Sequence, residues 1–216
     1  MMDLLEKMNW RYATKRMTGE KLPPEKVERI LESIRLTASG FGLQPYNVLV
    51  IEDEELKRKI LPIANNQPQI TESSHLLVFT AWDGITEDKI ENYIQLIANT
   101  RNIGTDSLQG FKNSMLGWLK SQTSETSFNW AARQTYIAFG TGIVAAAVEG
   151  VDATPMEGFN AAALDELLGL KEKGLRSTSI LALGYRDADK DHLVNAPKVR
   201  KSKEDLVIRY SSLATV

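Results

Sequence analysis

Apolar residues three and four positions apart predict that much of the chain is helical. Asn160 is expected to cap one such helix and Gly169 to end it. The apolar residues of that helix are expected to share one face: Ala161, Leu164, Leu167 and Leu168. The same spacing predicts further helices over Asp3–Trp10, from Pro24 to the loop that begins at Ser39, from Asp53 to Pro62, and over Thr86–Thr123 with a break near Asn102–Gly104.

The segment Phe128–Gly150 is apolar nearly all round and rich in alanine and glycine. This composition predicts a buried central helix that its neighbours approach closely. Within it, Gly140-Thr141-Gly142 resembles part of a dinucleotide-binding fingerprint. The third glycine and the preceding strand of that fingerprint are missing, so we interpret the two glycines as helix-packing positions.

Short apolar runs predict the strands. Asn47–Ile51 and His75–Ala81 are interpreted as buried strands, Ser177–Tyr185 as a third, and Leu206–Tyr210 as a last short one. We interpret His75 as a hydrogen-bonded boundary residue and not as a catalytic one. Since no repeat or linker divides the chain, we predict a single domain over residues 1–216.

The stretch Thr154–Gly174 contains the most informative local pattern. Pro155 and Gly158 predict a tight turn, in which Gly158 takes a backbone conformation that other residues avoid. The carboxylate of Glu157 and two backbone N–H groups then lie just before a helix N-terminus. This arrangement suits the polar edge of a flat, electron-accepting ring, although the same residues also form ordinary turns.

Composition narrows the possible functions. The chain has 216 residues, a net charge of −2 and no cysteine, which excludes disulfides and thiolate chemistry and gives no reason to expect nucleic acid. With only two histidines, we expect no metal site. The longest uncharged run, Gln134–Val148, is shorter than the roughly 20 residues that span a bilayer, and the first residues are too charged for a signal peptide. We therefore expect a cytoplasmic protein that binds no membrane.

Two basic clusters lie at opposite ends of the chain, at Arg11–Arg16 and Pro197–Lys201. Taken alone, the N-terminal cluster is better interpreted as a solvated surface cluster, but the two clusters together are spaced as if they met around one phosphate group. The sequence offers no nucleophile with its base and no set of metal ligands. A bound, phosphorylated cofactor is therefore expected to supply the chemistry.

Several motifs in this order resemble the nitroreductase family: R-Y-A-T-K, S-G-F-G-L-Q-P-Y, P-M-E-G-F-N followed by L-D-E-L-L-G-L-K-E-K-G, and P-K-V-R. The chain looks like an oxygen-insensitive, FMN-dependent NAD(P)H nitroreductase over almost its whole length, least so between Thr86 and Ser127. The resemblance implies an α+β fold with a mostly antiparallel central sheet flanked by helices. It also implies an intertwined homodimer with FMN at the interface and the C-terminal segment reaching the partner.

The resemblance further implies roles for individual residues around the flavin. Arg11, Lys198 and Arg200 would hold its phosphate. Lys15 would lie by the pyrimidine edge, where its charge would stabilise the reduced ring at N1. Tyr12 and Ala13 stand beside these positions, and Ala13 lacks a hydroxyl that relatives often direct at the phosphate.

The remaining implied positions surround the ring. Ser39 and Gln44 would act across the subunit interface, and Asn66 would lie beside the ring. Gln69 stands where many relatives have a lysine. Without that positive charge the flavin would have a lower midpoint potential, unless Gln69 compensates by donating a hydrogen bond to the O2 atom of the flavin. The face and the N5 edge would be lined by Pro155, Met156, Glu157 and Gly158, with Lys15 and Glu157 as the catalytic pair.

The reaction that the resemblance implies is a ping-pong transfer of two electrons. NAD(P)H would give a hydride to the flavin and leave, and a quinone or nitroaromatic would then take its place. Two alternatives stay open: a narrower reaction on the same fold, such as dihydropteridine reduction or dehalogenation, and a non-enzymatic flavin-binding or storage module. The choice between NADH and NADPH also stays open.

Overall fold

The computed structural model describes residues 3–209, and its centre is one four-stranded sheet. The strands are Tyr46–Ile51 (β1), His75–Trp82 (β2), Asp152–Met156 (β3) and Leu175–Gly184 (β4), in the order β1-β2-β4-β3. Every neighbouring pair is antiparallel. The predicted α+β fold with an antiparallel central sheet is therefore confirmed.

Helices cover the sheet and extend beyond it. They are Leu4–Trp10 (α1), Pro24–Arg35 (α2), Glu54–Ile60 (α3), Gln69–Glu72 (α4), Glu87–Arg101 (α5), Gln109–Lys120 (α6), Ser124–Val148 (α7), Ala161–Leu167 (α8) and Lys203–Leu206 (α9). Although α7 has 25 residues, no helix within residues 3–209 combines the length and the apolar character needed to cross a membrane.

Both faces of the sheet are buried because each central strand contains a run of apolar residues, Leu76–Phe79 in β2 and Ile180–Leu183 in β4. Leu77 and Phe79 pack on one side with residues of α2 and α7, and Leu76 and Val78 pack on the other with residues of α3, α4 and α8. Successive side chains of a strand point to opposite faces, so one run of apolar residues serves both cores. A third cluster joins α5 and α6.

Helix starts and stops follow the local sequence signals. The side chain of Asp53 accepts the Leu56 N–H at 2.6 Å, and that of Asn160 accepts the Ala163 N–H at 3.2 Å. The region Thr86–Thr123 breaks as predicted at Asn102, whose φ is +53°. These predictions are confirmed because capping depends only on residues within one turn.

The central helix α7 buries one side of its surface, including Ala131, Ala138 and Ala146. A Cβ atom at Gly142 would lie 3.1 Å from Ile34 Cδ1, so this glycine lets α2 and α7 approach closely. At Gly140 a Cβ would meet no atom of the described residues within 4 Å, so the packing interpretation holds for Gly142 alone. In addition, Tyr136, Ile137 and Val148 are exposed on α7, so the prediction of a buried helix holds for only part of its surface within one chain.

The turn predicted from Pro155 to Gly158 is wrong in its first half, because Pro155 and Met156 complete strand β3. β3 lies at the edge of the sheet, where the missing N–H of Pro155 breaks no ladder. Gly158 does not adopt a positive φ, so its backbone freedom is not what the loop requires. The turn itself begins only after Met156.

Two strand predictions also need correction. β1 is an edge strand and is only partly buried, with Val50 42% exposed. The predicted strand Leu206–Tyr210 is not found: Leu206 ends α9, residues 207–209 have no regular structure, and Tyr210 lies outside the described residues. His75 begins β2 with its Nδ1 at 2.8 Å from Ser74 Oγ, as predicted for a hydrogen-bonded boundary residue.

Candidate functional site

The segment Arg11–Arg16 is irregular, and side chains from two elements fix it. The carbonyl of the fully buried Thr14 accepts hydrogen bonds from Gln69 Nε2 at 3.0 Å and from Thr154 Oγ1 at 2.8 Å. Gln69 begins α4 and Thr154 lies on β3. The backbone around Thr14 is therefore tied to the sheet, and its neighbours Ala13 and Lys15 border a cavity.

The carboxylate of Asp191 holds the same segment from its other side. Its Oδ2 accepts from Thr14 Oγ1 at 2.5 Å, from the Lys15 N–H at 2.7 Å and from the Tyr12 hydroxyl at 3.0 Å. Burial alone would raise the pKa of Asp191, but these donors and the Leu193 N–H lower it to about 2. Asp191 is therefore an ionised anchor for the basic segment.

The two basic clusters border one cavity of about 470 Å³, which also reaches Pro155 on β3. It is lined by Asn9, Trp10, Arg11, Tyr12, Ala13, Lys15, Pro155, Arg186, Leu193, Val194, Ala196, Pro197, Lys198 and Arg200. The antiparallel sheet places β3 beside the N-terminal segment, and the loop after β4 returns the chain to it. We name this space the basic cavity.

Arg11 is the most unusual cation of the basic cavity. Its Nε is buried and has no hydrogen-bond partner within the described residues. Burial lowers the pKa of Arg11, repulsion from Arg200 lowers it further, and Asp152 partly offsets both. A buried donor without a partner costs free energy, and so do two cations close together. A dianion such as a phosphate would relieve both costs.

Unlike Arg11, Lys198 forms hydrogen bonds within the protein. Its Nζ donates to the carbonyl of Met8 at 2.7 Å and also to the carbonyl of Arg11. These contacts attach the C-terminal basic cluster to the end of α1. Burial, and then repulsion from Arg11 and Arg200, lower the pKa of Lys198. Lys198 therefore holds the cavity wall in this structure, and Arg11 and Arg200 border the same cavity.

Arg186 also borders the cavity, but its charge is neutralised within the protein. Its Nη2 and Nε lie 2.6 and 2.9 Å from Oδ1 of Asp152, which is only 3% exposed. Its guanidinium lies 4.4 Å from the ring centre of Trp10 and 4.6 Å from that of Tyr12. Arg186 thus links the start of β3, the end of β4 and the N-terminal segment.

The loop Glu157–Gly158 follows β3 directly and keeps its donors free. The Gly158 carbonyl accepts from Asn65 Nδ2 at 2.9 Å and from Gln67 Nε2 at 3.0 Å. Within the part of the chain that the structure describes, the N–H groups of Glu157 and Gly158 donate to no acceptor. Two exposed N–H donors therefore precede the N-terminus of α8, as the sequence predicts.

The carboxylate of Glu157 is held by α7. The hydroxyl of Tyr136 donates to Glu157 Oε1. Burial, followed by this contact with the carboxylate, raises the pKa of Tyr136 to about 12. The phenol therefore stays protonated and remains a donor across the ordinary pH range.

Comparison with known proteins identifies the family to which the chain belongs. A sequence model described as the nitroreductase family matches residues 8–185 of the chain. The chain belongs to the nitroreductase family. A Bacillus subtilis relative named as a candidate NAD(P)H nitroreductase is 31% identical over 216 residues, covering 94% of this chain and 96% of that protein. The major NAD(P)H-flavin oxidoreductase of Aliivibrio fischeri is 28% identical and covers 91% and 94%.

Solved structures show the same fold at lower sequence identity. A nitroreductase-like protein of Bacillus subtilis superposes with a TM-score of 0.83 at 17% identity, covering 95% of this chain and 97% of that one. A family member from Exiguobacterium sibiricum, crystallised in complex with FMN, superposes with a TM-score of 0.81 at 20% identity, covering 97% and 98%.

Not every residue singled out in the sequence of this nitroreductase lies at the basic cavity. Gln44 borders a separate cavity of about 560 Å³ beside α2 and α5. Ser39 Oγ accepts the Gln44 N–H at 2.9 Å and thereby shapes the loop between them. The structure does not bring these two residues to Lys15 within one chain. Their action across a subunit interface stays a prediction.

The amide-rich loop contributes through Gln69, which was predicted, and through two residues that were not. Asn66 is exposed and has a φ of +53°. Gln69 is 2% exposed, and the bond from its Nε2 to Thr14 supports the segment before Lys15. Its hydrogen bond to flavin O2 stays a prediction. Asn65 and Gln67, which hold Gly158, were not singled out although they lie in the same loop.

Sequence reasoning also missed Asp191, the Asp152–Arg186 pair and Tyr136. Asp191 lies 177 positions from Thr14 in the chain, so no local pattern connects them. Tyr136 left no distinctive signal, because α7 also carries the hydroxyl groups of Thr135 and Thr141. Within residues 3–209, no group of three or more aspartate, glutamate and histidine side chains forms a candidate metal site.

Proposed function

We propose that this nitroreductase is an NAD(P)H oxidoreductase that binds FMN in the basic cavity and reduces small acceptors such as quinones or nitroaromatics. One observation carries the proposal: Arg11 Nε is buried without a partner in the cavity wall. The cavity also reaches Pro155, two residues before the free N–H groups of Glu157 and Gly158. A ligand with a phosphate at one end and acceptor atoms on a flat ring at the other fits both features.

The residues present fit FMN in their chemistry. When bound, FMN supplies the two-electron chemistry, taking a hydride from NAD(P)H and passing it to an acceptor in a ping-pong sequence. Arg11 and Arg200 bind the phosphate, and Lys198 keeps the wall that carries them in place. Glu157 and Gly158 direct their N–H groups at the N5 edge, and Lys15 places its charge by the pyrimidine edge.

An absorption spectrum of the purified protein, before and after NADH and NADPH are added without oxygen, tests the proposal first. We expect a flavin band that bleaches with at least one of the two donors, followed by recovery when a quinone is added. Bleaching without recovery would favour a flavin store over an oxidoreductase. A colourless protein that takes up no added FMN would contradict the proposal as a whole.

Lys15→Ala is expected to lower the flavin midpoint potential and to slow reduction by NAD(P)H by about tenfold to a hundredfold. The reason is that the substitution removes a cation next to the negative charge that develops on the ring, an interaction worth about 1.5–3 kcal/mol. Reductive titration and stopped-flow absorbance measure the two effects. Lys59→Ala, on exposed α3 and paired with Glu55, is the matched control. An unchanged potential in Lys15→Ala would make Lys15 a solvated surface residue.

We also propose that the protein is a homodimer whose C-terminal segment reaches the partner. Tyr136, Ile137 and Val148 form an exposed apolar face on α7, and Leu206 and Ile208 are exposed after the basic cluster. Exposed large apolar side chains on a central helix and on a terminal segment are consistent with a subunit interface. Sedimentation velocity of the FMN-loaded protein at micromolar concentration is expected to give a dimer, and a monomer would contradict the proposal.

A further inference from the structure

The exposed face of α7 carries a polar group that the proposed chemistry does not yet use. Tyr136 is 40% exposed, and its ring packs edge-to-face on Phe139 with centroids 6.0 Å apart. This packing fixes the ring so that the hydroxyl reaches Oε1 of Glu157 on the loop after β3. A side chain of the central helix thus touches the loop that offers the two N–H donors.

A β-bulge in β4 lies next to Tyr136. The β2–β4 register shifts between Phe79 and Thr80, which leaves Thr178 as an extra residue on β4. The carbonyl of Thr178 lies 3.5 Å from the Tyr136 hydroxyl, and its Oγ1 lies 3.1 Å from Thr135 Oγ1 on α7. Bulges redirect backbone groups next to functional sites. This bulge turns the groups of Thr178 toward the turn of α7 that carries Tyr136.

The acceptors of the Glu157–Gly158 loop are engaged on two sides. Asn65 and Gln67 hold the Gly158 carbonyl from one side, and Tyr136 holds the Glu157 carboxylate from the other. The N–H groups of the loop are left free within the described residues. A loop clamped at its acceptors presents its donors in one orientation, which lowers the entropy that ligand binding must remove.

We propose that Tyr136 is a positioning residue of the flavin site, which fixes the Glu157 carboxylate and thereby orients the two N–H donors of the loop. This inference rests on the proposed function. Tyr136 acts through Glu157 and does not itself contact the reacting atoms. Because burial and the neighbouring carboxylate raise the pKa of Tyr136 to about 12, the hydroxyl remains a donor at every pH at which the protein is assayed.

Tyr136→Phe tests the proposal because it removes only the hydroxyl. The FMN-free variant is expected to melt within about 2 °C of the wild type, since the ring keeps its packing on Phe139 and only one hydrogen bond is lost. The FMN-loaded variant is expected to be reduced by NAD(P)H about tenfold more slowly, and its FMN dissociation constant to rise about threefold to tenfold. Tyr185→Phe is the matched control, because Tyr185 packs against the cluster that α2 and α7 form on the sheet.

A double-mutant cycle with Glu157→Ala separates positioning from general disturbance. If Tyr136 acts through Glu157, adding Tyr136→Phe to Glu157→Ala leaves the reduction rate and the FMN dissociation constant unchanged. An equal loss in both backgrounds would overturn the inference, and so would a Tyr136→Phe variant that matches the wild type in both measurements. A wild-type protein that takes up no FMN would instead contradict the proposed function, so the two failures are distinguishable.

Discussion

Replacing both Arg11 and Arg200 with alanine is expected to raise the FMN dissociation constant by at least about a hundredfold. Each charge-assisted hydrogen bond to a phosphate contributes about 1.5–3 kcal/mol, so two of them account for such a loss. The folded protein itself is expected to tolerate the change. Arg11 Nε has no partner within the described residues, and burial and the charge of Arg200 lower the pKa of Arg11, so its removal relieves repulsion. Titrations of FMN fluorescence quenching measure the affinity.

Chemical denaturation of the FMN-free protein separates binding from folding. We expect the double variant to unfold within about 1 kcal/mol of the wild type, and Arg200→Ala alone to weaken FMN binding more than it weakens folding. Lys203→Ala, at the exposed start of α9, is the control for a general loss of positive charge. If the double variant retained tightly bound FMN, the phosphate would have to bind elsewhere and the basic cavity would lose its assigned role.

Local structure was predictable wherever a few neighbouring residues decide it. The caps at Asp53 and Asn160, the break at Asn102 and the central strand β2 follow from side chains within one turn or one strand. Strand β3 was missed because Pro155 and the short polar run around it favour a turn by local rules. Pairing with β4 overrides that preference, and an edge position accepts a proline. The antiparallel sheet itself was expected from the resemblance and not from the pattern.

In the candidate site, too, some features were predictable and others depend on contacts between distant parts of the chain. The N-terminal and C-terminal basic clusters were expected to meet, and the structure places both around one cavity. The resemblance could assign Lys198 to a phosphate, but only the folded chain shows its ammonium on the carbonyls of Met8 and Arg11. Likewise, Asp152 and Arg186 form their pair across 34 positions of sequence. Charges that neutralise each other over such distances leave no periodic signal in the chain.

Asp191→Asn is expected to lower the free energy of unfolding by about 2 kcal/mol at pH 7 and to weaken FMN binding. In the folded protein the pKa of Asp191 falls from the ordinary 3.8 to about 2, and each pKa unit corresponds to about 1.4 kcal/mol. The amide keeps one acceptor oxygen but loses the charge that Thr14 Oγ1 and the Lys15 N–H favour. Lys15 and its neighbours then become less well fixed, so the cation by the flavin is positioned less precisely.

The stabilisation that the Asp191 carboxylate provides is expected to decrease as the pH falls. A carboxylate whose pKa is depressed by folding stabilises the protein above its unfolded pKa of about 4, and this contribution is lost as the pH falls toward 2. The difference in unfolding free energy between the wild type and Asp191→Asn should therefore shrink between pH 4 and about 2. Urea denaturation of both proteins at pH 7, 4 and 3 measures this difference in unfolding free energy. Asp189→Asn, an exposed carboxylate in the same loop, is the control. A difference that stayed constant with pH would mean that Asp191 stabilises the segment by packing and not by its charge.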